Sequence, residues 1–301
     1  MKSASVPAAS ARPQNARAGL LMAVCAIGIF ALQDGISKHL ATHYPAPLIA
    51  AIRYWAFGAF VLLWAARRPG GLRAAAATTQ PLLQMARGAL LGLQIIVAIT
   101  AFARVGLVNT LALFAAAPLA VAALSAPVLG EPVGWRRWTA IGVGCVGVLI
   151  ILRPGPDLLD RPIWIAVVAV IGIAVYSVMT RLAARRDDAR TSFFYTGIGG
   201  MAVLSLIGPF FWTPLSPPDW GWMAVLCVSG AAGHYFLIRA FEEVAAVVIQ
   251  PVMYLQTVIG AAVGATVFGE ALEAPVILGA AIVIAAGLFT AWREAVRARD
   301  G

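Results

Sequence analysis

Asp34 and Arg53 are the residues that first suggest chemistry, because each is an ionisable group inside a long apolar run. A charge at the centre of a bilayer costs about 2.5 to 3.5 kcal/mol on the insertion scale, so a group of this kind is a functional candidate by default. Both lie about seven residues from the same end of their runs, roughly 10 Å deep at 1.5 Å per helical residue. Lys38 is one turn from Asp34 on the same helix face and gives it a second cationic partner. Two readings follow. The pair forms a charged cavity wall, where Asp34 attracts a cationic group or Arg53 an anionic one and the pairing switches between states. Alternatively, a permanent Asp34 to Arg53 bridge ties two helices together.

Other polar residues interrupt the apolar runs. His234 is the only histidine at depth. An imidazole exchanges protons near neutral pH, so Asp34 and His234 are the proton-coupling candidates; the alternative for His234 is a neutral ring bonded to a neighbouring helix. Tyr235 and Arg239 share a face of the same run, and Arg239 snorkels toward the surface with Glu242 and Glu243 as partners. Gln250, Tyr254 and Thr257, at i, i+4 and i+7, make a polar stripe beside Pro251 that faces either a cavity or another helix. Gln94, Thr100, Asn109, Tyr176, Thr180 and Tyr195 are further isolated polar groups. The candidate solute-binding set is therefore Asp34, Arg53, Gln94, Asn109, Tyr176, Tyr195, His234, Tyr235, Gln250 and Tyr254, with Lys38 and Arg239 as charge partners.

Some residues read as structural. Glu131 and Glu270 each follow a helix-ending glycine and suit the positive amino end of the next helix. Gly88 and Gly92, like Gly260 and Gly264, allow helices to approach closely. Cys25, Cys145 and Cys227 stand apart as small core residues. His39 and His43 are four apart but lack a third or fourth ligand, so no metal is expected, and no cofactor motif occurs. Neither GxxxxGK[ST] nor HExxH, GxSxG or CxxC is present, which excludes a built-in ATPase and argues against a protease or redox enzyme.

The elements that must position these groups follow from composition. Of 301 residues, 61% are hydrophobic and 12% charged, against about 25% charged in soluble domains. Spanning takes roughly 20 apolar residues per helix. Ten runs qualify, near 18–40, 46–66, 83–103, 107–129, 135–152, 162–184, 191–211, 219–241, 244–268 and 274–292. Backbone polar groups in hydrocarbon must pair within their own segment, so runs of this length are helices. With the amino terminus in the cytoplasm, 17 of the 22 Lys and Arg fall inside, Lys38, Arg104, Arg153 and Arg161 fall outside, and Arg53 lies within a span. That bias predicts both termini inside. The run through Asp34 and Lys38 lacks a small-residue cleavage site and reads as an uncleaved first helix. Arginine-rich, lysine-poor usage points to a bacterial inner membrane.

The chain also repeats. A slide of 139 residues places Leu129-Gly130-Glu131 on Phe268-Gly269-Glu270, and one of 144 places Ile27-Gly28-Ile29 on Ile171-Gly172-Ile173. Five helices per copy is an odd number, so the second copy enters the membrane inverted, as in secondary transporters whose solute site lies where the repeats meet.

These residues resemble a known family along nearly the whole chain. The resemblance rests on Asp34-Gly-Ile-Ser-Lys38, Arg53, the stretch from Ala117-Pro118 to Leu129-Gly130-Glu131-Pro132, Leu152-Arg153-Pro154-Gly155 and Ile238-Arg239-Ala240-Phe241. In that order and spacing they are similar to EamA-type members of the drug/metabolite transporter superfamily. The resemblance implies a solute carrier without ATP hydrolysis, built from two inverted repeats around a central cavity. Members carry different solutes in either direction, some of them S-adenosylmethionine.

The expectation is thus an all-α integral membrane protein of ten transmembrane helices in two inverted five-helix repeats, 18–152 and 162–292. It moves a small polar or amphipathic metabolite by alternating access, with export as the expected direction. The alternatives are uptake of S-adenosylmethionine or a similar cationic metabolite and, from another class, a membrane scaffold or membrane-embedded enzyme. Expected partners are the solute, the lipid bilayer and coupling protons, with no nucleic acid, in a monomer or weak dimer.

Overall fold

The structure is a computed structural model and describes residues 16–130, 134–155, 161–244 and 246–300. These form helices joined by short connections, and no strand occurs among the described residues. In chain order they are α1 (Ala16–Ala41), α2 (Ala46–Ala66), α3 (Gly71–Ala76), α4 (Pro81–Arg104), α5 (Leu107–Phe114), α6 (Ala117–Leu129), α7 (Trp135–Leu152), α8 (Trp164–Ala183), α9 (Ala189–Ile207), α10 (Pro217–Glu243), α11 (Ala246–Met253), α12 (Leu255–Phe268) and α13 (Ala274–Asp300). Among the described residues nine helices are long and apolar enough to cross a membrane, and the 27-residue α10 is not one of the nine.

Helix starts follow local sequence rules. Proline occupies the first turn of α2, α4, α6 and α10, where a missing N–H has no intrahelical acceptor to lose. Asp188 caps α9 by accepting from the Thr191 N–H at 2.8 Å, and that bond holds its carboxyl below the usual carboxylate range.

Two runs expected as single helices are broken. The fourth stops at Phe114 and resumes at Ala117, and the ninth stops at Met253 and resumes at Leu255. Pro118 has no N–H for the Phe114 carbonyl, and Pro251, inside α11, leaves the Val247 carbonyl without its helical donor six residues before that helix ends at Met253. The breaks obey the repeat: Phe114 plus 139 is Met253, and the helix-ending Gly130 plus 139 is Gly269. Both glycines are left-handed, with φ of 70° and 64°.

Packing has the same pattern. α1 lies along α10 as α4 lies along α8, and α4 meets α9 as α10 meets α2. Gly88 and Gly92 let α4 touch Gly199 and Gly200 of α9 backbone to backbone, and Gly260 and Gly264 admit Leu111 and Val108 of α5, so both glycine pairs serve internal packing. Large apolar side chains such as Leu82 and Phe210 point outward, as expected of a multi-pass membrane protein whose solvent is lipid. Exposed tryptophans gather at the helix ends, Trp135, Trp138 and Trp292 at one and Trp212, Trp220 and Trp222 at the other. The three cysteines are free, but Cys25 and Cys145 are exposed rather than core residues, since thiols are small and apolar enough to face lipid.

A Cβ on Gly88 would lie 2.2 Å from the Tyr195 carbonyl oxygen, whereas one on Gly142 meets nothing within 4 Å. Gly88→Ala is therefore expected to destabilise the purified protein by about 1 to 3 kcal/mol through overpacking, read as a lower melting temperature. Gly142→Ala should leave it unchanged. Equal melting temperatures for the two variants would contradict the backbone contact between α4 and α9.

Candidate functional site

The site grows from one face of α1. Phe30, Gln33, Asp34 and Ser37 recur at i, i+3, i+4 and i+7, a single stripe of a helix. Facing them, α2 contributes Arg53, Tyr54 and Phe57, α10 contributes His234, and α12 contributes Gln256. Asp34 Oδ2 accepts from Gln256 Nε2 at 2.8 Å. Arg53 donates from Nη2 to Gln33 Oε1 at 2.8 Å and from Nη1 to Ser37 Oγ at 3.4 Å. The guanidinium and the Asp34 carboxylate attract each other electrostatically, yet no ion pair joins them among the described residues.

Aromatic rings wall this polar centre. The His234 imidazole lies edge-on to Phe30 with centroids 5.4 Å apart and 6.2 Å from Phe57, which in turn meets Tyr54 and Phe193. A Cβ on Gly233 would lie 2.6 Å from the Phe30 ring, so that glycine is what lets α10 bring His234 against α1. His234 is also within electrostatic range of Arg53.

A second cationic node flanks the first. Arg87 of α4, counted in the sequence among the cytoplasmic cations, is 1% exposed inside the bundle. All five of its N–H groups are used: two on Gln84 Oε1, and one each on the Tyr176 hydroxyl, the Thr180 hydroxyl and the Ser192 carbonyl. Gln84 relays to Asp187 at 2.7 Å, which brings a compensating carboxylate near without direct contact. Arg87 thus clamps α4 to α8 and α9. Through Tyr176 its field reaches Tyr54 in the first node.

The remaining candidates disperse. Lys38 does not turn to Asp34; its ammonium sits on Glu270 and over the Phe268 ring, 4.4 Å from the centroid. Glu270 does cap a helix, but α5 rather than the one after it, accepting from the N–H of Leu107 at 2.8 Å and of Val108 at 2.7 Å. The break at Tyr254 resets the helical phase, so the expected stripe separates. Tyr254 packs its hydroxyl on Gly287 of α13, Thr257 donates to the Leu111 carbonyl of α5, and Gln256 is the residue that reaches Asp34. The side chain of Gln250 lies outside the described residues, as do Glu131 and the side chain of Glu242. Gln94 lays its methylenes on Gly172, and Tyr195 donates to the Ala76 carbonyl at 3.0 Å. Asn109 bonds the Val105 carbonyl and lines a separate cavity of about 220 Å³ with Arg104, Arg153 and Glu273. Tyr235 is 61% exposed beside Phe236, and Arg239 is half-buried on α10. His39 and His43 stack edge-on near Asp219, but among the described residues no group of His, Cys, Asp or Glu is arranged to hold a metal.

Sequence reasoning thus missed Gln33, Ser37, Tyr54, Phe57, Arg87 and Gln256. The seven-residue stripe through Asp34 was the signal available for the first two.

The chain is similar to known proteins over most of its length. The pattern of the EamA-like transporter family matches residues 17–153 and again 161–292. The chain is 28% identical over 272 residues to an S-adenosylmethionine uptake transporter of Rickettsia prowazekii (strain Madrid E), covering 87% of this chain and 88% of that one. It is 26% identical over 277 residues to a pseudopaline exporter of Pseudomonas aeruginosa (strain UCBPP-PA14), covering 90% and 94%. A solved crystal structure superposes with a TM-score of 0.60 at 17% identity, over 92% of this chain and 97% of that one, and shares its fold.

The Lys38 to Glu270 pair, with side chains 10% and 15% exposed, is the polar tie between α1 and the start of α5. Glu270→Gln leaves Lys38 buried without its counter-charge and is expected to cost about 3 kcal/mol, seen as a fall in melting temperature. Adding Lys38→Met should recover part of that loss, whereas strictly additive losses would show that the two residues do not interact.

Proposed function

Because the chain belongs to the EamA-like transporter family, we propose that it is a secondary transporter that moves a small polar or amphipathic metabolite across the bacterial inner membrane by alternating access. In this reading it spans the membrane ten times, as inverted repeats over 18–152 and 162–292, with both termini cytoplasmic. The reciprocal helix contacts and the breaks that recur at an offset of 139 residues support that arrangement. In transporters of this architecture, discontinuous helices in corresponding positions of the two halves point to the solute site.

One observation carries the reading. A carboxylate and a guanidinium are held at depth without pairing to each other, each on neutral amide or hydroxyl groups that a solute can displace. Opposite charges held near each other in an apolar bundle without a direct ion pair need a reason, and a charged solute supplies one. Alternating access then follows if the solute shifts the balance between the states in which Asp34 holds Gln256 and those in which it does not. Asp34 and His234 are the groups through which a proton would couple.

Export is the expected direction. The similarity to the Rickettsia protein favours a second reading, uptake of S-adenosylmethionine or another cationic metabolite; there Asp34 takes the positive charge and the Phe30, Phe57 and His234 rings take the base. Membership of the solute pool is tested by melting-temperature screening of the purified protein, since a ligand that prefers the folded state stabilises it by mass action.

Asp34→Asn keeps an acceptor for Gln256 while removing the charge. It is expected to abolish solute flux in proteoliposomes and to leave the melting temperature close to that of the wild type. Flux at the wild-type rate would contradict a role for the Asp34 charge, and loss of folded protein would return Asp34 to a structural role.

A further inference from the structure

The polar centre has two unequal halves, and one of them is short of an acceptor. Asp34 is a carboxylate whose contact is a neutral amide donor, Gln256. On the next residue, Gln33 is 4% exposed, and its Oε1 is taken by Arg53 while its Nε2 has no hydrogen-bond partner. Buried amide donors without partners are rare in native structures and call for an explanation. Arg53 is half-buried beside it, and of its five N–H groups two are engaged, on Gln33 and Ser37. Arg87, by contrast, spends all five on protein acceptors and has nothing to offer a ligand. The orphaned Gln33 donor therefore lies directly beside the Arg53 guanidinium.

An acceptor that satisfies both must also answer the Arg53 charge, since Asp34 does not touch it. A neutral water meets the hydrogen-bonding need but not the charge; a carboxylate meets both, with two oxygens and about four lone-pair sites for the guanidinium edge and the Gln33 amide. Gln33 and Asp34 are consecutive on a helix and leave it about 100° apart, so the two subsites diverge by only a residue's width.

Resting on the transporter reading above, we propose that Arg53 and Gln33 form a carboxylate subsite beside an ammonium subsite at Asp34, so that the solute carries a zwitterionic α-amino acid head. Its remainder lies against the rings of Phe30, Phe57 and His234. Gln33 is the specificity determinant: its amide favours the carboxylate, and a glutamate there would repel it.

The test uses the purified full-length protein and proteoliposomes. The probes are the common amino acids and S-adenosylmethionine, each beside its decarboxylated amine and its N-acetyl derivative. The zwitterion is expected to bind and move, with affinity falling by at least about tenfold for the amine and for the N-acetyl derivative, the worth of one charge-assisted contact. Gln33→Glu, nearly isosteric, should invert the preference and favour the amine over its parent zwitterion. Gln33→Leu, which has no charge, should lose discrimination without inverting it. An unchanged ratio of zwitterion to amine in Gln33→Glu overturns the subsite. If solutes without a carboxylate move as well as those with one, the proposal fails while the transporter reading survives; if no solute moves or binds, both fail.

Discussion

A charge in hydrocarbon must find its counter-charge or its hydrogen bonds inside the protein, and that constraint organises this bundle. Lys38, Arg53 and Arg87 each solve it differently. Lys38 is neutralised by Glu270, which also satisfies two free N–H groups at the start of α5. Arg87 has no carboxylate in contact and fills its five donors with neutral acceptors from three helices. Arg53 does neither completely. The first two arrangements hold helices in place; the third rests on the neutral Gln33 and Ser37 side chains.

The same constraint acts on the backbone. A helix that stops within a membrane exposes carbonyl and amide groups which lipid cannot satisfy, so breaks persist only where protein surrounds them. The interruptions after Phe114 and Met253 lie among packed helices: Thr257 donates to the Leu111 carbonyl just before one break, and Gln256, just after the other, donates to Asp34. The glycines at the crossings of α4 with α9 and of α12 with α5 supply the close approach that keeps lipid out.

Much of this was legible in the sequence. The apolar runs give the helices, and charges inside such runs are conspicuous, so Asp34 and Arg53 stand out without coordinates. What was not legible depended on phase and on distance along the chain. Gln256 escaped because a continuous helix would put Gln250, Tyr254 and Thr257 on one face, and the break at Tyr254 changes which residue looks toward α1. Glu270 was expected to cap the helix that follows it and instead caps one that begins 163 residues earlier, a pairing that no local pattern encodes. Arg87 stands so near the start of its run that charge counting put it in the cytoplasm; only the packing of α8 and α9 around it reveals a buried clamp. Tyr195 and Tyr235 are candidates by residue type and position in the sequence, yet one anchors α3 and the other faces outward.

The central claim is that the unpaired charges between α1, α2 and α12 receive the solute. The most direct measurement is an experimental structure of the protein with a transported solute bound. The account predicts density within hydrogen-bond distance of Asp34 and Arg53, with the Gln256 amide displaced from the carboxylate. Density in the separate cavity beside Arg104, Arg153 and Glu273, with the Asp34 to Gln256 contact intact, would contradict it.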